Sequence, residues 1–275
     1  MNPETAGQVF HSARDEFALW SARLWRPLGE LLTAVSRPAP GERVFDACCG
    51  AGASALPAAH AVGPGGVVDA VDAAEGLVAD AARQAEAAGL TQARFHTGDV
   101  LTWDDGAEPH DGYDGYDVVQ CGYGVFFFPD MDAGARALLR RLRPGGRFAV
   151  SSWLAGGMER IVPVGHAAAV PERPELAQGQ RPSANERLNS EEKMRSWLLS
   201  LGLVDVEVHP VDYRFPLHPD DAWTFYLGAA LRGFVQGLPP EALERVRARF
   251  EAGLREAGLG TLDASSLLGT GRVPG

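Results

Sequence analysis

Val44-Phe-Asp-Ala-Cys-Cys-Gly-Ala-Gly52 decides the architecture of this chain. Arg43–Asp46 reads as a short buried strand, and Leu56–Ala61 reads as a helix, so the glycines fall in the turn between them. A residue without a Cβ lets the backbone approach a ligand closely, which is the expected task of Gly50 and Gly52. The turn lies at the carboxyl end of a strand, where open α/β sheets take their ligands.

The flanking sequence fits that start. Upstream, Val9–Val35 has helical periodicity, with Phe10, Phe17, Leu24, Leu28 and Leu32 on one stripe and Pro27 dividing it. Downstream, strands at Val67–Val71, Ala93–His96, Asp117–Cys121 and Arg147–Ser152 alternate with helices at Leu77–Ala88 and Ala133–Leu142. Strands alternating with helices predict an α/β fold, a parallel sheet covered on both faces. After Trp153 the rhythm breaks. A helix at Arg160–Val170 and a loop bearing proline and glutamine precede a helix capped by Ser190. A strand starts at Val204 and continues past Pro210 toward Phe215, helical stretches follow at Asp220–Gln236 and Pro240–Ala257, and a last strand is expected at Leu267–Arg272.

The 275 residues are 45% hydrophobic and 22% charged, with a formal net charge of -11. A sequence pI near 5.1 disfavours a phosphate backbone as partner, so no nucleic-acid substrate is expected. The arginines at 136, 140, 141, 143 and 147 read as an exposed helix face. Met1–Phe10 lacks a basic region followed by an apolar core, and no apolar run approaches the roughly 20 residues of a membrane span. Cys48, Cys49 and Cys121 have neither disulfide nor zinc spacing, so reduced thiols in the cytoplasm are expected. Asp104, Asp105, Asp111, Asp114 and Asp117 are too irregularly spaced for a metal loop, and no metal is expected.

Gly50-Ala-Gly-Ala-Ser-Ala55 also fits the dinucleotide turn G-x-G-x-x-G/A, which would make the chain an NAD-dependent oxidoreductase. Against this, Asp46 brings the wrong charge to a diphosphate, and Asp46-Ala-Cys-Cys49 separates the strand from the first glycine. The segment Val44–Gly52 resembles motif I of the class I S-adenosylmethionine-dependent methyltransferases, V-L-D-x-G-C-G-x-G, with Cys48 in place of its first glycine. Leu139-Arg-Arg-Leu-Arg-Pro-Gly-Gly-Arg-Phe148 is similar to that family's L-R-x-L-K-P-G-G segment, and Tyr116–Val125 is similar to strand four of its ubiquinone/menaquinone-type members. The resemblance covers roughly residues 40–153 and the last two strands.

It implies a Rossmann-like seven-stranded sheet with helices on both faces and a helical cover. It also implies S-adenosylmethionine as cofactor, S-adenosylhomocysteine as product, and methyl transfer to oxygen, carbon or nitrogen of a small-molecule metabolite. By the same resemblance Asp72 accepts the ribose hydroxyls, Leu77 and Val100 cover the adenine, Asp99 accepts its amino group, and Cys121 lies by the methionine part. Asp46, Cys48, Gly50 and Gly52 complete the expected cofactor site. Tyr123 and His11 are candidates for the substrate pocket and His166 for a general base. The expected division is a cover at 1–40, a binding core at 41–153, an inserted cover at 154–189, a return to the core at 190–215, a helical cover at 216–260 and a final strand and tail at 261–275. A member of this fold can also catalyse a rearrangement or cyclisation without methyl transfer, because fold alone does not assign a reaction.

Overall fold

The computed structural model describes residues 3–104, 115–178 and 184–275. Its strands are β1 (Arg43–Ala47), β2 (Val67–Asp72), β3 (Ala93–Thr97), β4 (Tyr116–Gly122), β5 (Leu142–Trp153), β6 (Val204–Val211), β7 (Arg214–Pro216), β8 (Thr261–Asp263) and β9 (Ser266–Arg272). Seven of them form one sheet in the order β3-β2-β1-β4-β5-β9-β6. All neighbours are parallel except β9, which runs antiparallel to both β5 and β6. The fold is therefore the covered α/β sheet that the alternation predicts, with the seven strands and Rossmann-like order that the resemblance implies.

The helices are α1 (Pro3–Ser12), α2 (Arg14–Trp20), α3 (Arg26–Ser36), α4 (Ala55–Val62), α5 (Glu75–Ala87), α6 (Met131–Leu139), α7 (Ile161–Ala169), α8 (Glu191–Ser200), α9 (Pro219–Leu227) and α10 (Pro240–Glu256). Helices on both faces explain why Val44, Phe45 and Ala47 are all fully buried on one strand. Phe45 joins a core with Val119, Phe148, Leu138 and Trp197, whereas Val44 joins another with Ala58, Val62 and Val68. Local chemistry sets several helix starts. The Asp130 carboxylate accepts the Asp132 and Ala133 N–H groups ahead of α6, and the Ser190 hydroxyl accepts the Lys193 N–H ahead of α8.

Three segments differ from the expected pattern. The stripe at Val9–Val35 is three helices, not two, with a π-helical turn at Ser21–Trp25 joining α2 to α3. Pro27 sits in the first turn of α3, where its missing N–H has no helical partner to lose. The strand from Val204 ends at Val211, and β7 leaves the main sheet to pair with β8 as a two-stranded ribbon. Pro210 is tolerated within β6 because β6 is an edge strand. The arginines after α6 do not form a free basic face: Arg141 lies over the Phe45 and Trp103 rings, Arg143 pairs with Asp117, and Arg147 pairs with Glu42.

The additions after Trp153 share an apolar core with the N-terminal helices. Trp20, Leu28, Ile161, Tyr226, Val246 and Phe250 are all buried in it. The stripe Ala242, Val246, Phe250 and Leu254 of α10 is buried at helical spacing, as an amphipathic helix requires. Tyr226 donates its hydroxyl to the Gly165 carbonyl at 3.1 Å, tying α9 to α7. No helix among the described residues is long and apolar enough to cross a membrane.

Candidate active site

The strand order reverses between β1 and β4, and a cavity of about 900 Å³ opens at the carboxyl ends of the strands there. That is near the top of the roughly 300–1,000 Å³ usual for small-molecule sites, room for two ligands side by side. One part of its wall is the glycine turn. Gly50 has φ +51° and Cys48 has φ +59°, so both sit in the left-handed region and both face the cavity. Asp72, at the end of β2, accepts the Gly50 N–H at 2.9 Å and the Ala74 N–H at 2.7 Å. Burial raises its pKa, and these two bonds work against the rise. Leu77 on α5 and the Gly98-Asp-Val100 turn after β3 line the same region. Asp99 is held by the Leu101 N–H, which it accepts at 2.9 Å.

Tyr123, just past the end of β4, lines the cavity as expected of a pocket residue, whereas Asp46, Gly52, Cys121 and the two histidines lie elsewhere. Asp46 is fully buried behind the turn and does not line the cavity. Its Oδ2 accepts the Gln120 amide at 2.8 Å, while Oδ1 has no partner among the described residues. Burial pushes this carboxyl up to about 7, against the Gln120 hydrogen bond and the polar influence of the nearby Ser54 hydroxyl, with the Asp72 charge adding to the rise. Gly52 also stands off the cavity: a Cβ there would meet Ala81 and Leu56 at 3.1 Å, so what it allows is the close packing of α4 and α5. Cys121 is buried beneath the wall. The thiol of Cys48 is raised well above its usual value by its contact with Cys121 and by burial, and burial does the same to Cys49. Neither thiol is prepared as a nucleophile.

The two histidines are outside the cavity. His11 Nδ1 accepts the Gly76 N–H at 3.1 Å, fastening α1 to the start of α5. His166 has Nε2 3.1 Å from the Leu176 carbonyl and packs edge-on against Phe234 at 5.3 Å. Its helix does supply one wall residue, Val162, one turn toward the helix start. His166→Ala is therefore expected to leave the pH–rate profile unchanged, measured as kcat and kcat/KM across about pH 6–9 once an acceptor is available. A profile that loses a limb near the imidazole range would return His166 to the site. Among the described residues no group of His, Cys, Asp and Glu could hold a metal ion; Asp105, Asp111 and Asp114 lie outside them.

Sequence reading missed much of the opposite wall. Phe17, Trp25, Trp153, Asn185, Phe225 and Leu231 all reach the cavity. Gly29 was legible as a glycine inside a helical stripe, and its reason is close approach: a Cβ would lie 2.3 Å from the Ala53 carbonyl oxygen. The helix α3 thus rests directly on the glycine turn, and Thr33 donates to the Ser54 carbonyl at 3.0 Å.

A sheet of this order with a cavity at its reversal point is the architecture of the class I methyltransferases. The family model described as the ubiE/COQ5 methyltransferase family matches residues 8–154, just over half the chain, and the chain belongs to that family. It is 37% identical over 143 residues to nocamycin O-methyltransferase of Saccharothrix syringae, covering 52% of this chain and 49% of that protein. It is 32% identical over 145 residues to aklanonic acid methyltransferase of a Streptomyces species, covering 53% of this chain and 63% of that one. The chain thus spans less than two thirds of either relative's length. The [4+2]-cyclase SpnF superposes with a TM-score of 0.60 at 17% identity, covering 99% of this chain and 96% of that one, which is a likeness of fold.

Proposed function

We propose that this chain transfers the methyl group of S-adenosylmethionine to oxygen, carbon or nitrogen of a small metabolite, in the manner of natural-product methylation. The observation that carries the reading is a single cavity that joins the glycine turn, Asp72 and the Asp99-Val100 turn to an enclosing apolar wall. Its residues suit that cofactor. The Asp72 carboxylate has the charge to strengthen bonds from a diol. Leu77 and Val100 offer an apolar shelf for a purine beside the Asp99 acceptor, and acids with no lysine, arginine or histidine beside them among the described wall residues suit a positively charged ligand. S-adenosylmethionine supplies an already activated methyl group. What remains for the protein is to align the acceptor and to exclude water. The cover at 1–40, 154–189 and 216–260 serves that end over a core at 41–153, 190–215 and 261–275, with Phe17, Met158 and Phe225 closing the cavity from the cover side.

The relatives named for nocamycin and aklanonic acid support a small-molecule acceptor, and the net charge of -11 speaks against nucleic acid. The three free cysteines support a cytoplasmic location. Asp72→Ala is expected to weaken S-adenosylhomocysteine binding by about 1.5–3 kcal/mol, the range for hydrogen bonds to a charged group. Calorimetry on the wild type should show S-adenosylhomocysteine binding and no NAD binding, and product mass should rise by one methylene. Unchanged affinity in a folded Asp72→Ala variant would remove Asp72 from the site.

A further inference from the structure

The segment after β3 makes a single helical turn at Asp99. The Asp99 carboxylate accepts the Leu101 N–H at 2.9 Å, and its carbonyl accepts the Thr102 N–H at 3.1 Å and the Trp103 N–H at 2.8 Å. On the upstream side the Gly98 N–H donates to the Asp72 carbonyl at 2.9 Å, so that end is tied to β2. A turn of this kind ends as a helix does, with carbonyls that have no N–H partner of their own. Asp99 and Val100 line the cavity, whereas Trp103 stands outside it. What holds the downstream end therefore decides where the two wall residues sit.

Arg141 holds it from the far end of the sheet. The Arg141 carbonyl accepts the Tyr116 N–H at 2.8 Å at the start of β4, while the cavity lies at the other ends of the strands. The side chain runs back along the sheet, with its guanidinium 4.6 Å from the centre of the Phe45 ring and 5.5 Å from that of Trp103. Its Nη2 donates to the Trp103 carbonyl and, at 3.4 Å, to the Val100 carbonyl. A cationic donor on a terminal carbonyl makes a stronger bond than a neutral one, which is why arginine suits the end of a helical turn. The Trp103 ring also stacks on Phe45, with centroids 5.4 Å apart and planes 23° from parallel. Phe45 is fully buried in β1 and gives both the ring and the guanidinium a rigid floor.

The neighbouring arginines behave differently. Arg143 pairs with Asp117 and Arg147 with Glu42, both carboxylates near their own end of the sheet. Arg141 instead directs its charge at backbone carbonyls and ring faces. It also stands at the position that the pattern L-R-x-L-K-P-G-G leaves open, so that pattern does not account for an arginine there. A lysine in its place would bring a point charge without the planar fork that reaches over a ring and along a backbone at once.

We infer that Arg141 is a positioning residue for the cofactor's base: by holding the Val100 and Trp103 carbonyls it fixes the turn that presents Asp99 and Val100, and so sets the preference of the site for a 6-amino purine. The ligand in this inference rests on the methyl-transfer reading. Two probes separate base recognition from general support of the fold: S-adenosylhomocysteine, and S-inosylhomocysteine, which carries a carbonyl in place of the 6-amino group. Calorimetry on the wild type should favour the adenosyl compound by roughly ten- to a hundredfold, the scale of one hydrogen bond to a charged group. Arg141→Met keeps an apolar stem over Phe45 and loses both bonds. It should weaken S-adenosylhomocysteine by about tenfold and S-inosylhomocysteine by less than about twofold, so the preference shrinks. Arg141→Lys should recover part of it, and it serves for the same comparison if Arg141→Met does not melt cooperatively. Amide hydrogen exchange without ligand gives an independent reading. In Arg141→Met the Leu101 and Trp103 N–H groups should exchange faster by at least about tenfold, while Gly98 keeps its wild-type protection. Unchanged exchange at Leu101 and Trp103 would overturn the inference, and so would equal weakening of the two probes, which would mark Arg141 as support for the fold alone. In either case adenosyl binding by the wild type would leave the methyl-transfer reading standing. A wild type that binds neither probe would overturn both.

Discussion

Gly52→Val is expected to lower the stability of the fold by roughly 3–5 kcal/mol and to take cofactor affinity down with it. Two costs add. The backbone at Gly52 has φ +83°, a region that a β-branched residue enters only under strain. The new Cβ would also stand 3.1 Å from Ala81 Cβ and from Leu56 Cγ, before its two methyl groups are placed. Ala81 is fully buried in the face of α5 that carries Leu77, so relief by movement would displace the cofactor shelf. Thermal unfolding followed by circular dichroism should show Tm lower by roughly 6–15 °C. Gly52→Ala keeps the backbone strain with less overlap and should fall between the two. An unchanged Tm in the valine variant would mean that the turn has another conformation.

A second large effect is expected from the buried acid behind that turn. Asp46 is fully buried, and its carboxyl is pushed from 3.8 up to about 7 by loss of solvation. The folded protein then keeps a proton that the unfolded chain releases near pH 4. Stability contributed by this group is complete below that pH and is lost as pH rises toward about 7, on the order of 4 kcal/mol in all. The shift at Asp72 has the same direction and acts with the same sign. Asp46→Asn removes the ionisation and keeps an oxygen to accept the Gln120 amide. The variant and the wild type should therefore be most alike in stability at and below about pH 4. The variant should pull ahead steadily from about pH 4 to 7 and hold a constant lead of roughly 2–4 kcal/mol above pH 8. Urea unfolding of both proteins at each pH measures the difference. A difference that does not change with pH would show that Asp46 is ionised in the folded state throughout.

The strands around the site were legible because their cause is local. Val44-Phe45, Val67–Val71 and Val118-Val119 are apolar runs bounded by breakers, and a doubly covered parallel sheet needs such runs. Once the strands are placed, Asp72 at the end of β2 and Asp99 just past β3 fall at the cavity, whereas Asp46 near the end of β1 is buried behind the glycine turn. The ribbon of β7 and β8 was not legible: three residues with one buried side chain, Leu262, carry no readable period. Gly52 was legible as a glycine but not for its reason, since the atoms that exclude a Cβ belong to Leu56 and to the distant Ala81.

Histidine shows the limit from the other side. His11 and His166 have the right chemistry for a base and lie on helices near the site, yet each spends a ring nitrogen on a backbone contact outside the cavity. A stripe shows that a helix buries one face; it does not say what that face covers. Conversely Phe17, Trp25 and Trp153 were not read as pocket residues, while Tyr123 was, and a stack between rings far apart in sequence has no local signature. Local pattern was enough for the main strands, the glycine turn and the places of Asp72 and Asp99, because hydrophobic period and backbone sterics act within a few residues. Which side chains close over those ends was decided only when the π-helical turn, α7 and α9 packed together, because that convergence depends on contacts between segments up to about 200 positions apart, such as the Trp20 indole donating to Thr224.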